Sequence, residues 1–167
     1  SFIIIMRTTI FYASKYGTTA MIAKEIADLI STHDQVQIVN IDNLKQNVIP
    51  DFYTPERFVL GVPIYAGKPI LSMKKFCDAY TFKLEEKPLY LFVCGMELSS
   101  EKQQAEIEAA FSERLRNTAQ EVVYLGGAFR WGKMNFVERL IIKRKTGKKG
   151  DMENIRHRAI KKFASKF

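Results

Sequence analysis

The sequence lacks long apolar runs and has only two cysteines. Its longest apolar run, Leu89–Met96, is far shorter than the roughly 20 residues that a helix needs to cross a bilayer. We therefore expect no transmembrane helix. Cys77 and Cys94 form neither a CxxC pair nor a metal-ligand spacing, which favours reduced thiols in a cytoplasmic protein and no metal site.

The sequence also lacks the glycine-rich signatures of two common nucleotide-binding folds. It contains no G-x-G-x-x-G and no G-x-x-x-x-G-K-[ST], which weakens nicotinamide and P-loop interpretations. A phosphorelay receiver would place its acidic cluster and its phosphoacceptor aspartate at the ends of the first and third strands. Ser14 and Pro63 stand there instead, so that class is disfavoured.

The 167 residues are 47% apolar and 26% charged, which is typical of a globular protein. This length predicts a single domain, residues 6–167. Phe2–Met6 has no basic residue before it and runs directly into the first strand, so a signal peptide is not indicated. We expect Met6 to be the natural start and residues 1–5 to be an upstream segment or leader.

Strand and helix patterns alternate along the whole chain. The predicted strands are Thr8–Ala13, Val36–Ile41, Phe58–Val62, Leu89–Val93 and Val122–Leu125. Helices are predicted after Thr18, from Lys68 and Pro69, from a capping box of Ser100 and Gln103, and from an Asp151 cap. This alternation predicts an α/β fold, a three-layer α/β/α doubly wound sheet of five parallel strands in the order 2-1-3-4-5.

The loop Ser14–Thr19, sequence S-K-Y-G-T-T, joins the first strand to the first helix. A helix N-terminus offers free N–H groups and a positive dipole end, which suit a phosphate. Gly17 permits a close backbone approach, and Ser14, Thr18 and Thr19 supply hydroxyls. The loop resembles the phosphate loop of flavodoxins, and this resemblance implies FMN as cofactor. An ordinary Ser/Thr-capped helix start is the alternative.

In a doubly wound sheet, ligands bind outside the carboxyl ends of the strands at the switch point; flavodoxin is itself a standard example of the rule. The loops after the third and fourth strands should therefore flank the flavin ring. Tyr65 would stack on the ring or pack on the helix below it; Gly67 and Gly95 would admit main-chain groups to the ring edge or simply form turns. The predicted cofactor-binding residues are Ser14, Lys15, Tyr16, Gly17, Thr18, Thr19, Pro63, Ile64, Tyr65, Ala66, Gly67, Cys94, Gly95 and Met96.

Positive charge is concentrated in the connection that precedes the last predicted helix, described here as a basic insertion at residues 128–150. It holds eight basic residues against Glu138 alone, a net +7 of the chain's +8. Apolar residues at 136/137 and 140/141 indicate a helix with one apolar and one basic side. Such a segment suits an anionic membrane surface through residues 130–149. The alternative is an insertion whose apolar side covers the sheet edge; nucleic acid is unlikely because no nucleic-acid module is present.

The stretch at residues 126–143, G-G-A-F-R-W-G-K-M-N-F-V-E-R-L-I-I-K, overlaps this insertion and resembles the flavodoxin-like, quinone-dependent protoporphyrinogen oxidases. This resemblance implies FMN as hydride acceptor, protoporphyrinogen IX as donor and a quinone as electron sink, with Arg130 and Trp131 in the substrate region. The expectation is thus an FMN-dependent oxidoreductase, cytoplasmic or peripheral on the inner face of the membrane. The alternatives are a flavodoxin-type electron carrier, against which a pI near 9.5 argues, and an FMN-binding regulatory domain.

Overall fold

The computed structural model describes residues 4–167. The strands are β1 (Met6–Tyr12), β2 (Asp34–Asn40), β3 (Arg57–Tyr65), β4 (Lys68–Pro69), β5 (Leu89–Cys94), β6 (Glu121–Tyr124), β7 (Gly126–Phe129) and β8 (Met152–Ile155). The α-helices are α1 (Thr18–Ile30), α2 (Leu71–Leu84), α3 (Ser100–Ala110), α4 (Glu113–Thr118), α5 (Phe136–Thr146) and α6 (His157–Ala164).

The central sheet has five parallel strands in the order β2-β1-β3-β5-β6. Counted over the parallel strands alone, this is the predicted order 2-1-3-4-5, and the predicted fold class is confirmed. The central strand β3 is buried at all positions but Tyr65, as expected for a parallel strand covered on both faces.

Each face of the sheet is covered by its own helices. On one side, Ile22 and Ile26 of α1 and Phe163 of α6 pack together in one buried cluster. On the other side, Met73 and Phe76 of α2 belong to a second buried cluster, which also includes residues of α3 and α4. Because β1, β3 and β5 are parallel, their carboxyl ends lie at one edge of the sheet between these two layers of helices.

The start of the last helix was predicted wrongly. Met152–Ile155 forms β8, which pairs antiparallel with β7, and α6 begins only at His157. Asp151 does not cap a helix; its carboxylate accepts a hydrogen bond from the Trp131 N–H at 2.7 Å. Residues 130–151, which include most of the predicted insertion, therefore lie between the two strands of a small antiparallel ribbon. The prediction of a single connection at residues 128–150 did not include this ribbon.

Three other local predictions differ from the structure in detail. Lys68 and Pro69 do not open a helix but form β4, which pairs antiparallel with the end of β3, and α2 starts at Leu71. Ser99 rather than Ser100 caps α3, because its side chain accepts from the Lys102 N–H. The helix predicted through Leu115 is interrupted after Ala110, and Ser112 caps the separate helix α4.

The predicted upstream segment falls largely outside the described part of the chain: residues 1–3 are not described, and Ile4 and Ile5 are exposed. Within residues 4–167, no helix combines the length and apolarity needed to cross a bilayer. The same residues contain no cluster of three or more His, Cys, Asp or Glu side chains suited to a metal ion.

Candidate functional site

The N-terminus of α1 leaves two threonine hydroxyls buried without a partner. Gly17 is the N-cap residue with φ +93°, a left-handed conformation that favours glycine, and its N–H donates to Ser14 Oγ at 3.1 Å. No side chain caps the helix, so the alternative of an ordinary Ser/Thr-capped helix start is not what the structure shows. Thr18 Oγ1 and Thr19 Oγ1 are buried and make no hydrogen bond within the described structure. Buried polar groups are normally paired, so these orphaned donors fit an anionic ligand such as a phosphate.

Three loops meet at the carboxyl edge of the sheet. Residues from the α1 start, the end of β3 and the end of β5 line one small gap of about 20 Å³. Eight of the predicted residues lie around it: Thr18, Thr19, Pro63, Ile64, Tyr65, Cys94, Gly95 and Met96. Gly127, Ala128 and Phe129 complete the lining and were not predicted. Their only sequence signal was the glycine pair that follows the last parallel strand.

The side chains of this region are mostly desolvated. Burial raises the pKa of the Tyr65 hydroxyl above its ordinary value. Burial likewise raises the pKa of the Cys94 thiol to about 12, which keeps it neutral at physiological pH. Beside Tyr65, the ring of Tyr16 lies edge-on at a centroid distance of 5.2 Å. The site therefore offers a largely buried aromatic surface, and none of the described residues that line it is a charged nucleophile or base.

A buried acid supports the loop after β5. Tyr124 OH donates to Glu106 Oε1 at 2.7 Å and accepts from the Glu97 N–H at 3.0 Å. A Cβ on Gly95 would come within 2.2 Å of Tyr124 OH and 2.7 Å of Glu106 Oε1. Gly95 is thus required by the packing beneath it. Sequence reasoning did not single out Glu106 or Tyr124, since neither lies in a recognisable motif.

The basic insertion packs directly against the loop Ser14–Thr19. Tyr16 shares a buried cluster with Met134 and Ile142, and Trp131 packs against the same cluster. Lys133 Nζ donates to the Tyr16 carbonyl at 3.1 Å. A second bridge joins Lys15 of the loop to Glu138 of α5 at 3.3 Å.

Four further predicted residues do not line the gap between the loops. Ala66 and Gly67 form the exposed tip of the β3–β4 hairpin, with φ of +48° and +76°, so Gly67 serves as a turn glycine. Arg130 Nη1 lies 3.6 Å from Glu153 Oε2 in an ion pair. Trp131 is half-buried, and Arg139 lies over its ring at 5.8 Å. Arg130 and Trp131 therefore lie in the insertion but not around this gap.

The outer side of α5 is apolar and exposed. Phe136 is 79% exposed, and Val137, Leu140 and Ile141 are exposed beside it. Only Ile142 of this helix is buried. The alternative in which the apolar side covers the sheet edge therefore fails for these four residues. An Asn135–Glu138 capping box fixes the helix start, and Lys143, Arg144 and Lys145 lie in its last turn.

This fold and this site define a doubly wound α/β protein in which a helix N-terminus with unpartnered buried hydroxyls lies beside a largely buried aromatic surface. The chain belongs to the Flavodoxin domain family, whose sequence model matches residues 9–154. The prediction of a flavodoxin-like protein is thereby confirmed, and FMN as cofactor agrees with this membership. No curated protein matches the sequence.

Solved flavodoxin structures share the fold at low sequence identity. A flavodoxin from the domain Archaea is 18% identical with a TM-score of 0.55, covering 96% of this chain and 98% of that one. A flavodoxin, WrbA-like protein from Agrobacterium tumefaciens is 18% identical, with a TM-score of 0.54 and coverages of 80% and 87%. The two-electron reduced flavodoxin of Megasphaera elsdenii is 22% identical, with a TM-score of 0.53 and coverages of 70% and 82%.

Proposed function

We propose that this protein binds FMN noncovalently and transfers electrons through it. The observation that carries the proposal is the pair of buried, unpartnered hydroxyls of Thr18 and Thr19 at the N-terminus of α1. Membership of the Flavodoxin domain family supports it, as does the relative solved in a two-electron reduced form. Bound FMN supplies a ring that accepts and donates one or two electrons.

The chain's own residues divide the binding task. Thr18, Thr19 and Ser14 donate hydroxyl hydrogen bonds to the phosphate, and the free N–H groups of the first turn add their own. The loops at residues 63–67 and 94–96 flank the ring, with Tyr65 as the aromatic contact. The 20 Å³ gap between them is smaller than a flavin ring, so ring binding requires the lining side chains to move apart.

For the reaction, we propose oxidation of protoporphyrinogen IX with a quinone as electron acceptor. The insertion that resembles the protoporphyrinogen oxidases contacts the phosphate loop through Tyr16, Met134 and Ile142. Its cations suit the two propionates of a porphyrinogen, and its apolar residues suit the ring. Arg130 is the proposed propionate contact, released from Glu153 when substrate binds, and Trp131 is the proposed ring contact.

We further propose that α5 lies on an anionic membrane surface, where quinones dissolve. Phe136, Val137, Leu140 and Ile141 form an exposed apolar stripe, and three basic residues occupy the last turn of the helix. This combination is typical of interfacial helices. The location proposed for the protein is thus cytoplasmic and peripheral on the inner face of the membrane.

The direct assay is anaerobic incubation of the FMN-loaded protein with protoporphyrinogen IX and menadione, following porphyrin fluorescence. Thr18→Glu sets negative charge against the phosphate, so it should abolish both FMN binding and turnover. Unchanged FMN affinity in that variant would contradict the assigned phosphate site.

Arg130→Glu should slow turnover and leave the FMN content unchanged, whereas Arg158→Glu makes the same charge change on α6 and should have no effect. Glu153→Gln tests whether the Arg130–Glu153 ion pair is merely structural. If Arg130 binds a propionate, Glu153→Gln frees the arginine and keeps or raises turnover. If the ion pair is only structural, Arg130→Glu and Glu153→Gln should lose turnover equally.

An electron carrier is the second candidate, favoured by the archaeal flavodoxin that covers nearly the whole chain. It predicts rapid electron exchange with a flavodoxin reductase and no FMN-dependent oxidation of protoporphyrinogen.

A further inference from the structure

A second, larger cavity adjoins the gap between the flavin loops. It has a volume of about 650 Å³ and lies between the loop after β5, the end of α5 and strand β8. Ligand pockets in proteins typically have volumes of roughly 300–1,000 Å³. Met96 and Phe129 line both this cavity and the gap. A molecule in the cavity would therefore lie beside the proposed flavin site.

The cavity lining combines apolar surface with a surplus of cations. Met96, Leu98, Phe129 and Met152 supply apolar surface, and Leu98 is 80% exposed without a covering residue. The charged side chains in the lining are three lysines and two glutamates: Lys102, Lys145, Lys148, Glu97 and Glu153.

Both glutamates already have cationic partners. Lys145 Nζ lies 2.8 Å from Glu97 Oε1, and the pKa of Glu97 is lowered chiefly by this hydrogen bond. Glu153 pairs with Arg130 at 3.6 Å. Within residues 4–167, Lys102 and Lys148 have no carboxylate within ion-pair distance. Lys102 and Lys148 are thus the lining lysines without an ion-pair partner, although the charge of Lys102 also helps to lower the pKa of Glu97.

We propose that this cavity, which adjoins the Arg130–Glu153 ion pair through Glu153, forms part of the substrate-binding site and takes the apolar body and one carboxylate of an organic molecule. The apolar body packs on Met96, Phe129 and Met152, and the carboxylate meets Lys148 or Lys102 at the rim. This inference rests on the proposed function, because the cavity can serve as a substrate site only when a flavin binds beside it. It assigns the ligand's charge to residues that the sequence resemblance did not indicate.

The test uses the FMN-loaded protein and the fluorescent probe 1-pyrenebutyrate, with the neutral alcohol 1-pyrenebutanol as its matched control. We expect the carboxylate to bind at least tenfold more tightly than the alcohol. Lys148→Glu and Lys102→Glu should each weaken binding of the carboxylate severalfold and leave binding of the alcohol unchanged. Lys83→Glu makes the same charge change on an exposed position of α2 outside the cavity lining and should bind both probes as the wild type does.

Equal affinity for the two probes, or equal effects of the Lys83 and Lys148 substitutions, would overturn the inference. A substitution among the apolar lining residues provides an independent check. Met152→Asp places a carboxylate there and should abolish binding of the carboxylate probe. The FMN content of each sample separates the two proposals. A protein that retains no FMN fails the proposed function, whereas a protein that retains FMN but shows no carboxylate-dependent binding fails only this inference.

Discussion

At the scale of single residues, a substitution of Thr19 should affect the stability of the FMN-free protein and its affinity for FMN in different ways. Its side chain is fully buried and its hydroxyl has no partner in the described structure. An unsatisfied buried hydroxyl costs about 1–3 kcal/mol. Thr19→Val should therefore leave the free energy of unfolding of the FMN-free protein unchanged or higher. The same change should weaken FMN binding about tenfold or more, because a hydrogen bond to a charged group is lost.

Urea unfolding and flavin-fluorescence titration measure the two effects of Thr19→Val. Thr118→Val is the control, since it makes the same replacement on α4, where the hydroxyl donates to the Arg114 carbonyl. If Thr19→Val destabilises the FMN-free protein as Thr118→Val does and binds FMN normally, the hydroxyl has a structural role.

Glu106 makes a pH-dependent contribution to the free energy of unfolding, which a single substitution can test. Burial raises the pKa of this carboxyl above its ordinary value, although the hydrogen bond from Tyr124 opposes the shift. The folded state therefore holds the proton to higher pH than the unfolded state does. The associated stability is fully present below the unfolded pKa and is lost as the pH rises through the folded pKa.

Glu106→Gln keeps an oxygen that accepts from Tyr124 but does not titrate. We expect the variant to lose less stability than the wild type as the pH is raised from 4 towards 8, in buffers of constant ionic strength. Chemical denaturation across this range measures it, and Glu108→Gln, on an exposed position of the same helix, should follow the wild-type curve. Parallel curves for wild type and Glu106→Gln would contradict the buried-acid assignment.

At the scale of elements, local patterns predicted the parallel strands but not the ribbon of β7 and β8. Continuous apolar runs such as Phe58–Val62 are readily recognised in the sequence as buried strands. Met152, Ile155, Ala159 and Phe163 instead fall at helical spacing, which concealed a strand. The backbone of Met152–Ile155 pairs with Gly126–Phe129, more than twenty residues earlier. Long-range pairing of this kind leaves no periodic signal.

The candidate site shows the same division between local and distant contacts. The loop from Ser14 to Thr19 was predictable because its chemistry is contiguous in sequence. Glu106 and Phe129 were not, because they reach the site through a helix and a ribbon whose positions depend on tertiary packing. Likewise, the helical period of α5 was predictable, but only the structure reveals that Phe136 faces outward.

The exposed face of α5 predicts two separable contributions to membrane binding. Lys143→Glu with Arg144→Glu should weaken binding to anionic vesicles mainly at low salt, since each basic residue near the surface contributes about 1 kcal/mol. Phe136→Ser should weaken it at low and high salt alike, because apolar insertion is not screened.

Vesicle flotation measures both effects. Phe82→Ser is the matched control for Phe136→Ser, since Phe82 is 72% exposed but lies on α2. Equal losses for the two phenylalanine variants, or flotation that survives the double charge reversal at low salt, would contradict a surface formed by α5.

At the scale of the whole molecule, binding of the FMN phosphate should raise the melting temperature, Tm, of the protein. The proposed site joins the ends of β1, β3 and β5 to the insertion, so a ligand there stabilises the folded state as a unit. Binding only to the folded state contributes about 2.7 kcal/mol when the ligand is at 100 times its Kd. For a chain of this size, each kcal/mol raises Tm by about 2–4 °C, so saturating FMN should raise Tm by roughly 5–11 °C.

Riboflavin carries the same ring without the phosphate and is the discriminating control. At equal concentration it should raise Tm by much less than FMN, because Thr18 and Thr19 remain unpaired when it binds. Calorimetry with FMN, riboflavin and inorganic phosphate separates the contributions of the ring and of the phosphate group. Equal shifts from FMN and riboflavin would mean that the loop after β1 does not hold the phosphate, and the assignment of residues 14–19 would then be wrong.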